Sequence, residues 1–153
     1  MSSDTLSTLA TLVGARLKAQ GLMLASAESC TGGWVAQAVT AIAGSSDWFE
    51  RGFVTYSDVA KQEMLGVSAA TLAKHGAVSE QTAREMAAGA LAHSRALVAV
   101  AITGIAGPSG GSPEKPVGTV HVSIADAAGS KKRSLLFTGE RDRIRWQASQ
   151  AAL

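Results

Sequence analysis

Several chemistries are missing from this sequence. Its 153 residues contain a single cysteine, Cys30, so neither an internal disulfide framework nor a multi-thiolate metal site can form. A reducing setting, the cytoplasm, is the expectation that follows. His75, His93 and His121 are scattered without paired spacing or a carboxylate cluster, and no metal or cofactor is expected. Charged residues are only 17% of the chain and the net charge is +2, far from the concentrated basic face of a duplex binder, so nucleic acid is not an expected partner. No stretch approaches the roughly 18 apolar residues of a membrane span. Met1-Ser2-Ser3-Asp4 carries no positive charge of the kind that opens a signal peptide. Aromatics make up 5%, and Trp34, Trp48 and Trp146 read as core or dimer packing rather than as a base-stacking platform.

What is abundant is small. The chain has 29 alanines and 16 glycines, which let backbones approach closely and turn tightly. One domain over residues 1–153 fits the length, which allows about 70% of the unfolded surface to be hidden.

Apolar spacing predicts a first helix from a cap at Asp4 to Gln20, stopped by Gly21. A strand over Leu22–Ala27 follows, then the turn Glu28-Ser29-Cys30-Thr31-Gly32-Gly33, then a helix from Trp34 through Ile42 that Gly44 ends. Phe53–Tyr56 reads as a strand, Ser57 and Ser79 each read as the cap of a helix, and Ser68–His75 reads as a helical piece ended by Gly76. Ala96–Ile102 is an uninterrupted apolar strand, followed by a loop over 103–116 that holds all three prolines. A hairpin pairs Val117–Ala125 with Lys131–Phe137, its basic Lys131-Lys132-Arg133 run reading as a solvated edge. A last helix begins near Glu140 and reaches Leu153 without a capping signal, as a truncated helix would. Strands alternating with helices, plus one hairpin, predict an α/β domain with a mixed sheet flanked by helices.

Two motif matches in the proline-bearing loop fail on context. Gly107-Pro108-Ser109-Gly110-Gly111 has the G-x-S-x-G spacing but no helix to follow it. Ser112-Pro113-Glu114-Lys115 has the S-x-x-K spacing, but its prolines break the helical turn that spacing requires. Two places keep chemical interest. At Glu28–Gly33 a helix N-terminus offers backbone amides to an oxyanion or phosphate, although Ser29 also reads as a plain cap. At Tyr56–Lys61 a lysine sits on the first turn of a short helix, where lysines are usually solvated.

Taken in order, Ala27-Glu28-Ser29-Cys30-Thr31-Gly32-Gly33-Trp34, Ala43-Gly44-Ser45-Ser46, Gly52-Phe53-Val54-Thr55-Tyr56-Ser57, Ala60-Lys61, His75-Gly76-Ala77-Val78-Ser79 and Thr103-Gly104-Ile105-Ala106-Gly107-Pro108 resemble the CinA C-terminal-domain family, the nicotinamide-nucleotide amidases. Pro113-Glu114-Lys115-Pro116-Val117-Gly118-Thr119-Val120 does so too, and the resemblance runs from about Leu6 to the end, in the manner of the stand-alone form. It implies an α/β/α sandwich that forms a homodimer. It also implies hydrolysis of nicotinamide mononucleotide to nicotinic acid mononucleotide and ammonia without a metal. By that resemblance Ser29 is the nucleophile and Lys61 the base, with Tyr56 beside them. Glu28, Thr31, Gly32, Gly33, Gly44, Ser45, Ser46, Thr103 and Gly104 are substrate-binding or oxyanion positions, and Arg143, with Arg141 and Arg145 as alternates, takes the phosphate. Asp58-Val59 departs from the Asn-Glu common in relatives, and Glu140 stands where Asp is usual; Asp58 is expected to favour a protonated Lys61. Two other classes stay open: a non-catalytic module binding a nucleotide or partner enzyme, and a competence- or repair-associated binder of DNA.

Overall fold

The alternation along each strand decides which helices lie on which face. A computed structural model describes the backbone from Ser3 to Leu153 and the side chains from Thr5 onward, so the expected cap at Asp4 lies outside the described side chains. The element order is α1 (Ser3–Gln20), β1 (Leu24–Glu28), α2 (Trp34–Thr40), β2 (Phe49–Val54), α3 (Asp58–Leu65), α4 (Ala69–His75), α5 (Glu80–Ala92), β3 (Val98–Gly104), β4 (Thr119–Asp126), β5 (Gly129–Leu136) and α6 (Arg141–Ala152). The five strands form one sheet in the order β2-β1-β3-β4-β5. β1 is parallel to both β2 and β3, whereas β4 runs antiparallel to its two neighbours β3 and β5. The sheet is mixed, as the sequence predicts.

One face is built almost wholly of alanine. Ala25, Ala27, Ala99, Ala101 and Ala125 meet Leu65 of α3 and Met86, Ala87 and Ala90 of α5. The opposite face carries Leu24, Val100, Ile102, Val120 and Val122 against Ala10 and Leu17 of α1, Val35 and Val39 of α2, and Ile144 and Ala148 of α6. The result is a three-layer α/β/α sandwich with one thin layer and one thick one. At Gly89 a methyl group would fall 1.9 Å from the backbone oxygen of Leu65, so α5 and α3 approach each other backbone to backbone. That approach sets the height of α3 above the sheet.

Several boundaries differ from those predicted, each because tertiary pairing overrides local preference. The Leu22 amide closes α1 on the Leu17 carbonyl, so β1 starts at Leu24. β2 begins at Phe49, because Phe49, Arg51 and Gly52 pair with β1, with Glu50 skipped at a register shift, in an edge strand that a hydrophobic reading passes over. β3 continues through Thr103 and Gly104, which pair with His121 and Val120 of β4, so the loop starts only at Ile105. α2 ends at Thr40, and Gly44 in the left-handed region (φ 84°) opens a 3-10 turn over Ser45–Asp47. The Lys131-Lys132-Arg133 run does lie on the edge strand β5. Among the described residues, no helix is long and apolar enough to cross a membrane.

Candidate active site

The strand order 2-1-3 places a topological switch point between β1 and β3. In open α/β sheets the crevice beyond the carboxyl ends of the strands at such a point is the usual ligand site. Ser29 follows the last residue of β1, and its amide donates to the Ile102 carbonyl of β3 at 3.0 Å. The chain then turns through Gly32 (φ 61°) and Gly33 (φ 105°), left-handed values that a side chain resists, and enters α2. Glu28 holds this turn from beneath. Its carboxylate accepts from the Thr31 hydroxyl at 2.6 Å, the Val35 amide at 2.8 Å and the Ala36 amide at 3.0 Å. A buried carboxylate thereby caps the amides of the first turn of α2.

Lys61 arrives from the other side. The Ser57 side chain caps α3 by accepting from the Ala60 amide at 3.0 Å, which fixes the first turn and aims Lys61 inward. Lys61 is 1% exposed, in the interior where lysine is seldom found. Its Nζ lies 2.9 Å from Ser29 Oγ, 2.9 Å from the Thr55 carbonyl oxygen and 3.1 Å from the Tyr56 carbonyl oxygen. Burial pushes the Lys61 ammonium below the ordinary lysine range, and the opposing pull of the Asp58 carboxylate is the smaller effect. The departure at Asp58 therefore tempers the shift without reversing it.

Ser29, Cys30, Tyr56, Lys61, Ala77, Val78, Thr103, Gly104, Ala106 and Arg141 line a cavity of about 220 Å3. Thr103, buried at the end of β3, donates its hydroxyl to the Ala77 carbonyl at 2.8 Å and so ties the segment before α5 to the sheet. Tyr56 stands at the mouth, 63% exposed, and its hydroxyl accepts from Arg141 Nη2 at 3.1 Å. The other Arg141 nitrogen donates to the Gly107 carbonyl. Burial drives the Cys30 thiol up to about 11, so at neutral pH it is a neutral group in the wall and not a thiolate.

The fold brings six of the expected residues together: Ser29, Lys61, Tyr56, Thr103, Gly104 and Arg141. The others lie elsewhere. Glu28 is turned beneath the turn onto the start of α2. Thr31 is 0% exposed with its hydroxyl on Glu28, so its amide is out of a substrate's reach. Gly32 and Gly33 shape the turn, the Gly32 amide donating to the Ser29 carbonyl at 3.0 Å, without lining the cavity. Gly44, Ser45 and Ser46 precede β2, beside the amino end of β1, where the Leu24 amide donates to the Trp48 carbonyl. A five-residue strand of about 3.3 Å per residue separates them from Ser29. Arg143 is exposed beside Gly139 and is not in the wall, so among the three arginines it is Arg141 that faces the cavity.

The residues that sequence reasoning left without a role are Ala77, Val78 and Ala106, which line the cavity together with Lys61. Each lies inside a motif quoted above, yet small apolar side chains carry no chemical signature. The two carbonyls that hold Lys61 belong to the main chain and leave no trace in side-chain type. A buried lysine flanked by acceptor-only oxygens beside a serine hydroxyl has the parts of a nucleophile and its base.

Comparison with known proteins places the chain in a family. The model of the CinA C-terminal domain matches residues 6–153. The nicotinamide-nucleotide amidohydrolase PncC of Escherichia coli K12 is 57% identical over 154 aligned positions, covering 100% of this chain and 93% of that protein. A CinA-like protein of Anaeromyxobacter dehalogenans is 53% identical over 142 positions, which are 93% of this chain and 35% of the longer relative. The crystal structure of the competence/damage inducible protein CihA from Agrobacterium tumefaciens superposes with a TM-score of 0.94 at 49% identity, over 97% of this chain and 91% of that one. With the family model matched over nearly the whole chain and a matching fold, this chain belongs to the CinA C-terminal domain family.

Proposed function

We propose that this chain is a nicotinamide-nucleotide amidohydrolase that cleaves the carboxamide of nicotinamide mononucleotide with Ser29 as nucleophile and Lys61 as base. The observation that carries the mechanism is the set of three oxygens around Lys61 Nζ. A neutral amine has two N–H groups and one lone pair. The Thr55 and Tyr56 carbonyls can only accept, so they take both hydrogens, and the lone pair is left facing the Ser29 hydroxyl. Ser29 then donates to Lys61, the arrangement that general-base activation requires.

In the forward step Ser29 Oγ attacks the amide carbon while its proton moves to Lys61, giving a tetrahedral oxyanion. The Cys30 amide, on the residue after the nucleophile, is the main-chain donor this reading assigns to that oxyanion, Cys30 being in the cavity wall. The C–N bond breaks as Lys61 returns the proton to the nitrogen, and ammonia leaves. Water then attacks the acyl-serine with Lys61 again as base, releasing nicotinic acid mononucleotide and regenerating Ser29. A cavity of about 220 Å3 is smaller than a typical site for a whole ligand. It suits the pyridine ring and its amide, leaving ribose and phosphate at the mouth, where the Arg141 fork is suited to the phosphate.

The cytoplasm is the setting of this reading, and a homodimer its assembly. The family resemblance gives active-site positions to Gly44 and Ser46, which this fold sets at the far end of the sheet from Ser29. A second copy that lays its own Gly44–Ser46 turn over the cavity reconciles the two. Sedimentation at twice the 15.6 kDa chain mass supports the dimer, and a monomer at assay concentration overturns it. The catalytic reading is tested by ammonia release from nicotinamide mononucleotide. The wild-type chain releases it and Ser29→Ala does not; tight binding without turnover by the wild type would instead mark a non-catalytic module.

A further inference from the structure

The turn that carries Ser29 is held on its outer side by a residue 115 positions away in the chain. Arg145, on α6, donates from Nε to the Cys30 carbonyl at 3.0 Å and from Nη2 to the Thr31 carbonyl at 3.1 Å. Its guanidinium lies over the ring of Trp34, 5.6 Å from the ring centre. The side chain is 29% exposed, and Asp142, 3.9 Å away and largely in solvent, is the acid beside it. All of these contacts except the one to Asp142 fall on residues 30–34, and Arg145 itself does not line the cavity.

The turn needs this hold for a reason visible in its backbone. Gly32 and Gly33 both occupy the left-handed region, and glycine gives up more conformational freedom on ordering than any other residue. The Cys30 and Thr31 carbonyls lie ahead of α2, and among the described residues the Trp34 amide that opens the helix, 3.1 Å from the Thr31 carbonyl, is their one main-chain donor. A planar guanidinium can grip two adjacent carbonyls at a fixed separation, which a single ammonium cannot. Glu28 fixes the inner side of the turn and Arg145 the outer side.

We propose that Arg145 is a positioning residue for the hydrolysis. It fixes the Cys30 and Thr31 peptides so that the Ser29 hydroxyl stays on Lys61 and the Cys30 amide stays aimed at the oxyanion. The inference rests on Ser29 being the nucleophile. Because displacement of a reacting atom by about 1 Å can cost on the order of 100-fold, loss of the grip acts on kcat. The cavity walls made by Ala77, Val78, Thr103 and Arg141 are untouched, so KM moves little.

The test compares Arg145→Met, Arg145→Lys and Arg145→Ala with wild type in the ammonia-release assay. The expected result is a kcat loss of about 10- to 100-fold for Met, with KM within about twofold. Lys, which keeps the charge and one donor, recovers only part. Millimolar guanidinium added to Arg145→Ala restores kcat and methylammonium does not. A role confined to stability would lower the melting temperature and leave kcat intact below it. Wild-type kcat in both Met and Lys variants, or a loss that guanidinium fails to restore, overturns the proposal. If the Met variant does not fold, the Lys variant decides by the same criterion. Ser29→Ala separates the two readings: activity in that variant removes the nucleophile, whereas an inactive Ser29→Ala beside a fully active Arg145→Met removes only the positioning role.

Discussion

Lys61 Nζ stands 2.9 Å from Ser29 Oγ across 32 residues of sequence, with two main-chain carbonyls as its other partners. Nothing else in the wall pairs a hydroxyl with a base at this distance. The pair should behave as one unit. Ser29→Ala and Lys61→Met are each expected to lower kcat by about 10²–10⁴-fold, with the double variant no slower than the worse single one. Multiplicative losses in a steady-state comparison would show that the two residues act independently.

The same variant makes a prediction about stability. The native Lys61 pKa lies below the unfolded value of 10.5, so between the two the unfolded chain holds a proton that the native chain lacks. Stability of the wild type therefore rises with pH through that window and carries a penalty below it. Lys61→Met removes the penalty and should be at least as resistant to urea as wild type at neutral pH, its advantage shrinking toward pH 10.5. A Met variant clearly weaker than wild type at neutral pH would contradict this.

Asp58 pulls the Lys61 pKa upward against the larger effect of burial. Asp58→Asn removes that pull, so Lys61 loses its proton more easily. The acid limb of the kcat/KM profile should move to lower pH, with the plateau rate little changed. An unmoved limb, or one displaced to higher pH, would separate the limb from Lys61.

Arg141 bridges the Tyr56 hydroxyl and the Gly107 carbonyl at the cavity mouth, whereas Arg143 points to solvent. Arg141→Ala is expected to raise KM for nicotinamide mononucleotide by about tenfold or more, as loss of a charge-assisted fork would. Hydrolysis of nicotinamide riboside, which lacks the phosphate, should be unaffected. Equal losses on both substrates, or a larger effect from Arg143→Ala, would reassign the phosphate contact.

Gly89→Ala would place a methyl 1.9 Å from the Leu65 carbonyl oxygen. Helix α5 or α3 must then move, at a cost of about 3 kcal/mol as an overpacked contact. Since α3 carries Lys61, activity should fall together with the urea midpoint. A variant of wild-type stability would show that the two helices are more loosely joined than their backbones indicate.

Much of the fold is legible in the chain because capping and periodicity are local. Ser57 and Ser79 cap the helices expected of them, Ser68 caps α4 where the expected helix begins on it, and all three side chains accept the amides that a helix start leaves open. Gly21 and Gly66 sit in the left-handed conformation that ends a helix. The strand boundaries are less legible, because β2 is a polar edge whose position depends on β1. At the site, Ser29 and Lys61 could be named from motif and resemblance, but residue type alone gave no reason to choose Arg141 over Arg143. Nor did it show that Glu28 and Thr31 brace the turn from below.

The amino-acid sequence by itself determined the two glycines that close the Ser29 turn, the capped helix that presents Lys61, and the alanine that thins one layer of the sandwich. These follow from backbone freedom, hydrogen-bonding side chains and side-chain volume, all properties of neighbouring residues. Only the tertiary structure decided that Lys61 is buried against two carbonyls, that the Gly44–Ser46 turn lies at the opposite end of the sheet, and that Arg145 closes over the turn from 115 residues away. Desolvation and hydrogen bonding between distant segments exist only after the sheet and its helices have packed, and they hold Lys61 against Ser29 with its pKa lowered.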